Sequence, residues 1–114
     1  MNEEIKQNIS FDDFSKLDLR VGTIISADDL EDSNKLIKFI VDIGSEKRQI
    51  IGGLKKQYKV EDLAGKQVVV VINLEPRNIA GLESNGMILA SHDAEGLPVA
   101  LFPERNVPDG SQIS

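Results

Sequence analysis

From Leu17 to Ala27 the chain changes side-chain character at almost every step. Leu17, Leu19, Val21, Thr23, Ile25 and Ala27 fall on one parity, and Asp18, Arg20, Gly22, Ile24 and Ser26 on the other. A helix repeats its faces about every 3.6 residues, so a period of two sustained over this distance predicts a long β-strand. Gly22 stands inside the run, where the absence of a side chain lets a strand bend sharply.

The same pattern returns twice. After an acidic turn from Asp28 to Asn34, the stretch Lys35 to Ile43 sets Ile37, Phe39, Val41 and Ile43 against Lys38 and Asp42. Gly44-Ser45 then turns the chain, and Arg48 to Gly52 makes a third strand, so strands two and three read as a hairpin. Val68 to Ile72 is an unbroken β-branched run, which predicts a strand buried on both sides. Met87 to Ala90 forms a fifth short strand and Leu97 to Phe102 a further one, with a turn at Val107-Pro108-Asp109-Gly110. Ahead of the first strand, Ser10 caps a short helix bearing Asp13 three residues on and Phe11, Phe14 and Leu17 at helical spacing. Lys55 to Leu63 reads as a short helical connection ended by Gly65. Residues 1–9 are polar and unpatterned, a flexible leader to one domain over 10–114. Three strands, a helix and two more strands is the element order of an OB-fold, a five-stranded Greek-key barrel of the all-β class. The extra C-terminal strands either cover an edge or pair with a second subunit.

Composition narrows the chemistry. There is no cysteine, hence no disulfide framework, thiol nucleophile or Cys-based zinc site, which suits a reducing, cytoplasmic setting. The longest strongly apolar stretch, Gln67 to Leu74, falls far short of the roughly 20 residues of a membrane span. The net charge is -6, yet Ser33 to Arg77 holds nine Lys and Arg against five Asp and Glu. That distribution fits a protein with one cationic face, and equally an ordinary mixed surface. His92, the only histidine, lies between Ser91 and Asp93 without triad context and reads as a turn or surface residue. The acidic turn lacks the spacing and glycine of an EF-hand, and no Gly-rich phosphate cradle is present. No catalytic residue, metal site or cofactor is expected. With four Phe, one Tyr and no Trp, and with Phe11, Phe14 and Phe39 assigned to apolar faces, only Tyr58 and Phe102 remain as stacking platforms. Any nucleic acid is therefore better met by cationic contacts to a folded RNA backbone than by base stacking.

Two segments exceed the needs of a scaffold. Lys47-Arg48-Gln49-Ile50-Ile51-Gly52-Gly53-Leu54-Lys55-Lys56 brackets two glycines with cations, so that a phosphate backbone can approach closely. Asn73 to Met87 is a polar, Pro/Gly-punctuated loop between buried strands, with Arg77 held on a stiff segment after Pro76 and Ser84 beside Asn85-Gly86.

These residues carry a resemblance. Phe11 to Ile24 (FDDFSKLDLRVGTI) is similar to the opening signature of the tRNA-binding domain family. So are Ser33-Asn34-Lys35-Leu36, Arg48-Gln49-Ile50-Ile51-Gly52-Gly53-Leu54, and Asn73-Leu74-Glu75-Pro76-Arg77 followed by Gly81 and Ser84-Asn85-Gly86-Met87. The match spans about residues 10–114. Members of that family occur appended to methionyl-tRNA synthetase and as free-standing structure-specific tRNA-binding proteins. The resemblance implies an OB-fold that binds the outer corner of tRNA and assists aminoacylation without a catalytic site of its own. It implies a homodimer joined through the C-terminal strands and an aminoacyl-tRNA synthetase as partner. The tRNA contacts it implies are Lys35, Arg48, Lys55, Asn73, Arg77, Ser84 and Met87, of which Asn73 could instead cap its loop and Met87 belong to the core. Asn78 stands where the family usually has a second cation, and Gly52 where Ser-Gly is common. Asn34 and Asn85 stand at positions often acidic, and the lost cation lowers the expected affinity and salt dependence.

Met1 and the short leader favour a complete small protein over an excised synthetase appendage. Two other functions stay open: a chaperone-like relative of the same fold that binds unfolded polypeptide, and an assembly module whose dimer surface is its function. A large exposed apolar groove would favour the chaperone, and a cationic face around Arg48 and Arg77 would favour tRNA.

Overall fold

A computed structural model describes residues 4–114; residues 1–3 of the expected leader lie outside the described residues, and 4–9 are exposed and form no helix or strand. The chain runs α1 (Phe11–Ser15), β1 (Leu19–Asp29), β2 (Ile37–Asp42), β3 (Lys47–Gly52), α2 (Val60–Leu63) and β4 (Gln67–Val71). It continues through β5 (Arg77–Ile79), β6 (Leu82–Ser84), β7 (Met87–Ile88), β8 (Ala90–His92), β9 (Pro98–Ala100) and β10 (Gln112–Ile113). The main sheet is ordered β3-β2-β1-β4-β7 with antiparallel neighbours and nearly closes on itself, the expected OB-fold. Its interior holds Ile24, Ile37, Phe39, Val41, Ile50, Leu63, Val68 and Val70, all fully buried.

β1 is the axis of the barrel, because its first half pairs with β4 and its second half with β2. The strict alternation expected along it does not persist. Ile24 opposes Val41 and Ser26 opposes Ile40, which leaves Ile25 as an extra residue in a bulge. Ile24 is thereby fully buried, and Ile25, expected on the apolar face, is 47% exposed. Gly22 sits just before this bend, where a Cβ would lie 2.7 Å from Val41 Cγ1 and 2.9 Å from the Asp42 carbonyl. The strand coils tightly enough that only a glycine fits. Leu19 and Val21, on the opposite parity from Gly22 and Ile24, are buried but outside the interior cluster, as is Val71, the partner of Leu19. The β1–β4 pair is thus buried on both faces, as the β-branched run from Val68 predicts.

Ser10 caps α1 as expected, its Oγ accepting the Asp13 N–H at 3.0 Å. The second helix is shorter than expected. Residues 55–57 form a turn, and only Val60–Leu63 is helical before Gly65, at φ 88°, donates its N–H to the Ile24 carbonyl. Leu63 from this single turn is fully buried in the interior cluster.

The C-terminal segment is bonded along β1. The Gln67 amide holds Val107 twice, at 2.7 and 3.1 Å, and the Val21 N–H and carbonyl bond Ser111 and Gly110. Thr23 Oγ1 donates to the Asp109 carboxylate, and β10 pairs Ile113 with Leu19. Gly44 and Gly110, both at positive φ, touch here: a Cβ on Gly44 would come 2.5 Å from the Asp109 carbonyl. Of the two roles open to the extra strands, β10 covers the edge of β1.

Replacing Gly22 by Ala forces a methyl group against Val41 and the Asp42 carbonyl. It is expected to destabilise the fold by about 1–3 kcal/mol, as overpacked cores do. Urea unfolding checks this; an unchanged midpoint would contradict the close approach of β1 and β2.

Candidate functional site

The segment that in sequence reads as one long loop from Asn73 to Met87 contains a hairpin. β5 and β6 pair Arg77 with Ser84, Asn78 with Glu83 and Ile79 with Leu82 across a two-residue turn at Ala80 and Gly81. Both turn residues have positive φ, 53° and 81°, as the tight turn that suits strand twist requires. The Asn78 Oδ1 accepts the Gly81 N–H at 3.1 Å and fixes that turn. A cation at position 78 could not make this bond. Directly paired residues share a face, so Arg77 lies on the same side of the hairpin as Ser84, and Asn78 and Glu83 lie on the other.

Ser84 faces β3 and is 2% exposed. Its Oγ accepts the Ile51 N–H at 3.0 Å, while the Asn85 N–H bonds the Gln49 carbonyl at 2.8 Å. Arg48 reaches across the same gap, its Nη1 donating to the carbonyls of Ile72 and Asn85 at 2.9 and 3.2 Å, and its Nε pairing with Glu46 at 2.6 Å. The Gln49 amide adds a bond to the Glu83 carbonyl. These contacts close the barrel between β3 and the chain that leads into β7. Gly86, at φ 135°, lets that chain pass 3.0 Å from the Val71 carbonyl, measured from where a Cβ would stand.

Two other expected contact residues are committed internally. Lys55 Nζ donates to the carbonyls of Ser33 and Leu30 at 2.7 and 3.2 Å and lies 3.9 Å from Asp29, which holds the β1–β2 loop in place. Asn73 accepts the Asp18 N–H at 2.8 Å and donates to the Lys16 carbonyl at 2.6 Å, clamping the end of β4 to the residues after α1. It caps its loop, the alternative open to it in sequence.

Lys35, Arg77 and Met87 remain exposed. Arg77 and Met87 line one groove of about 280 Å³, together with Gly52, Gly53, His92 and Pro98. Among the described residues the Arg77 guanidinium has no hydrogen bond or ion pair. Gly53 is open at the groove and adjoins the Lys35 carbonyl, 3.8 Å from where its Cβ would stand. Gly52 serves the interior instead, since a Cβ there would press to 3.2 Å from the ring of Phe39. His92, in sequence a turn or surface residue, enters the groove because β8 folds back on β9 and pairs it with Pro98. Nothing local in Ser91-His92-Asp93 signals that neighbourhood.

The aromatic residues are distributed differently from expectation. Phe39 is fully buried, but Phe11 is 75% exposed rather than packed on an apolar face. The Tyr58 hydroxyl accepts the Ala100 N–H at 3.1 Å, and Phe102 lies beneath Lys66 Nζ, 5.6 Å from the ring centre. No Phe, Tyr or Trp lines the groove. Away from it, the Arg20 guanidinium is held more firmly protonated by its hydrogen bond to Asp18 at 2.5 Å. Among the described residues no cluster of three metal-ligating side chains occurs, and no helix is long and apolar enough to cross a membrane.

Residues 19–112 match the model of a family described as "Putative tRNA binding domain". The methionine–tRNA ligase of Methanothrix thermoacetophila is 53% identical over 97% of the chain. The match occupies 17% of that relative, so the chain spans about a sixth of its length. The crystal structure of a MetRS-related protein from Pyrococcus horikoshii superimposes with a TM-score of 0.89 at 33% identity, covering 96% of this chain and 100% of that one. The chaperone CsaA from Bacillus anthracis superimposes with a TM-score of 0.86 at 34% identity, covering 95% and 100%.

Ser84→Ala leaves the buried Ile51 N–H without its acceptor and is expected to cost about 1–3 kcal/mol of stability. Arg77→Ala, at an exposed side chain without a partner among the described residues, is expected to stay within about 0.5 kcal/mol of the parent. Parallel urea titrations separate the two. Equal midpoints for both variants would contradict closure through Ser84.

Proposed function

The chain belongs to the tRNA-binding domain family, and on that premise we propose that it binds folded tRNA at the outer corner of the L through the groove between β3 and the β5–β6 hairpin. The observation that carries this reading is Arg77: an exposed guanidinium with no ion pair among the described residues, on the rim of a groove backed by Gly53. A guanidinium forks onto phosphate oxygens, and bare backbone beside it lets a sugar-phosphate chain come close. Lys35, whose backbone adjoins Gly53, adds a second exposed cation, and Met87 supplies an apolar contact within the groove. The lack of Phe, Tyr and Trp among the lining residues supports recognition of backbone shape over stacking of single-stranded bases.

The seven expected contact residues then divide by role. Lys35, Arg77 and Met87 touch RNA. Arg48, Lys55, Asn73 and Ser84 hold the surface that presents them. The chain acts as a binding module in the cytoplasm, without a catalytic site of its own. It raises the concentration of tRNA beside a methionyl-tRNA synthetase, either as a separate partner or as a linked unit. The C-terminal strands also offer a surface for a second copy: Val99, Leu101 and Phe102 are 37–44% exposed. Val99 lies on the opposite parity from His92 and its partner Pro98, so pairing through it leaves the groove open.

The similarity to the chaperone CsaA over its whole length supports a second reading, capture of unfolded polypeptide. Mixed polar and apolar lining in the groove fits it less well than it fits RNA.

Binding to folded bulk tRNA at several salt concentrations, with single-stranded RNA of equal length as competitor, tests the proposal. The expected result is salt-sensitive binding that the single strand does not displace. Arg77→Ala is expected to weaken it about tenfold and to flatten the slope of log K against log salt by roughly 0.7–0.9, the share of one phosphate contact. Wild-type binding by Arg77→Ala would overturn the groove as the site; equal competition by the single strand, or no binding, would overturn the tRNA reading and bring the chaperone forward. Light scattering at micromolar concentration should give a dimer; a monomer would remove the proposed pairing.

A further inference from the structure

His92 lines the same groove as Arg77 and is exposed there. Its place is created by tertiary pairing. The β8–β9 hairpin matches Ala90 with Ala100 and His92 with Pro98, and Ala90, His92 and Pro98 all line the groove. The Gly52-Gly53 backbone and Arg77 line the groove as well.

The charges around the imidazole are few. Among the residues that line the groove, Arg77 is the only other charged side chain, and there is no carboxylate. β9 carries no charged residue. On β3, Lys47 and Arg48 sit at the far end from Gly52, and Arg48 is paired with Glu46. On β6, Glu83 shares a face with Asn78, away from the face of Arg77. Asp93, next along the chain, points its Oδ1 into its own turn, where it accepts the N–H groups of Glu95 and Leu97 at 2.9 Å. Among the described residues, therefore, no acid pairs with a protonated His92. Arg77 and His92 are thus the two side chains of the groove able to carry positive charge.

We propose that His92 is a second phosphate-binding group of the groove, one that acts as a cation when it is protonated, so that RNA affinity is coupled to proton uptake at this residue. The coupling rests on the tRNA reading given above. Imidazole is the side chain whose charge changes between about pH 5 and 8, so the effect falls in a range where Arg77 and the lysines stay charged. A phosphodiester that bridges Arg77 and His92 favours the imidazolium, and by linkage a fall in pH tightens binding. Carboxylates elsewhere on this acidic protein also begin to take up protons toward low pH, but that contribution is shared by variants at position 92.

The test is anisotropy of labelled bulk tRNA with the full chain at about pH 8 and about pH 5.5, at several salt concentrations. Wild type, His92→Gln, His92→Lys and Arg77→Ala are compared. The wild type is expected to tighten about fivefold more than His92→Gln as the pH falls. Its salt slope should also steepen by roughly 0.7–0.9 relative to that variant. His92→Lys, charged at both pH values, is expected to bind at about pH 8 as well as the wild type does at about pH 5.5. Parallel pH profiles for wild type and His92→Gln, with Arg77→Ala weakened, would overturn the role of His92 while leaving the groove as the RNA site. Wild-type affinity in Arg77→Ala would overturn the groove itself, so the two failures are distinguishable. A salt slope unchanged with pH in the wild type would also exclude an added phosphate contact.

Discussion

The barrel depends on how β3 meets the chain that follows the β5–β6 hairpin. β-Barrels remove their exposed edges by closing, and the usual closure is a ladder of backbone hydrogen bonds. Here one backbone bond, Asn85 to Gln49, is joined by bonds from the side chains of Ser84, Arg48 and Gln49. A buried hydroxyl replaces a strand carbonyl for the Ile51 N–H, and a guanidinium gathers the carbonyls of Ile72 and Asn85. Buried backbone groups must be satisfied, and these side chains satisfy them where the main-chain geometry does not. The hairpin is therefore tied to the sheet at its base while its outer rim, with Arg77, stays exposed.

That arrangement also separates basic residues that hold the fold from those left exposed. Several of its basic residues are occupied: Arg20 by Asp18, Arg48 by Glu46 and two carbonyls, Lys55 by two carbonyls near Asp29. Each anchors a segment in its place. Arg77 has no such partner among the described residues, and Lys35 is exposed on the loop that Lys55 holds. On the proposed reading, the net charge of the chain matters less for a phosphate than the exposure of Arg77 at the groove. An arginine already bonded to two carbonyls and a carboxylate would have to release them to meet RNA, and the hydrogen bonds it broke would offset those it formed.

The β8–β9 hairpin has a similar division of labour. One face carries Ala90, His92 and Pro98 into the groove, and the other carries Val99 outward. Because side chains alternate along a strand, a segment of three residues can serve two surfaces without either interfering with the other.

Much of this was legible in the residues themselves. The period-two runs, the Gly44-Ser45 turn, the Ser10 cap and the β-branched run from Val68 specify local backbone and burial directly, and the structure has them where the sequence places them. The bend at Gly22 was also legible, since glycine is the residue that tolerates crowding on both sides. Other features depended on contacts distant in sequence. The bulge at Ile25 exchanges which neighbour is buried, and it arises from the register with β2. The β5–β6 hairpin has Ala80 rather than asparagine at its turn, so its signal is weak, and Asn78 completes it through a side chain. Residue type marked Arg48, Lys55, Asn73 and Ser84 as polar groups worth placing at a site. It could not say whether their hydrogen bonds are made inside the fold, because the partners that tie them across the fold lie 22 to 57 residues away. His92 is the converse case, a residue with no local signal that strand pairing brings into the groove of Arg77. Sequence by itself determined the barrel strands β1 to β4, their main turns and the family; tertiary structure decided the β5–β6 hairpin and, among the described residues, which cations hold the barrel and which stay exposed, because a charged side chain becomes available only when no folded partner claims it.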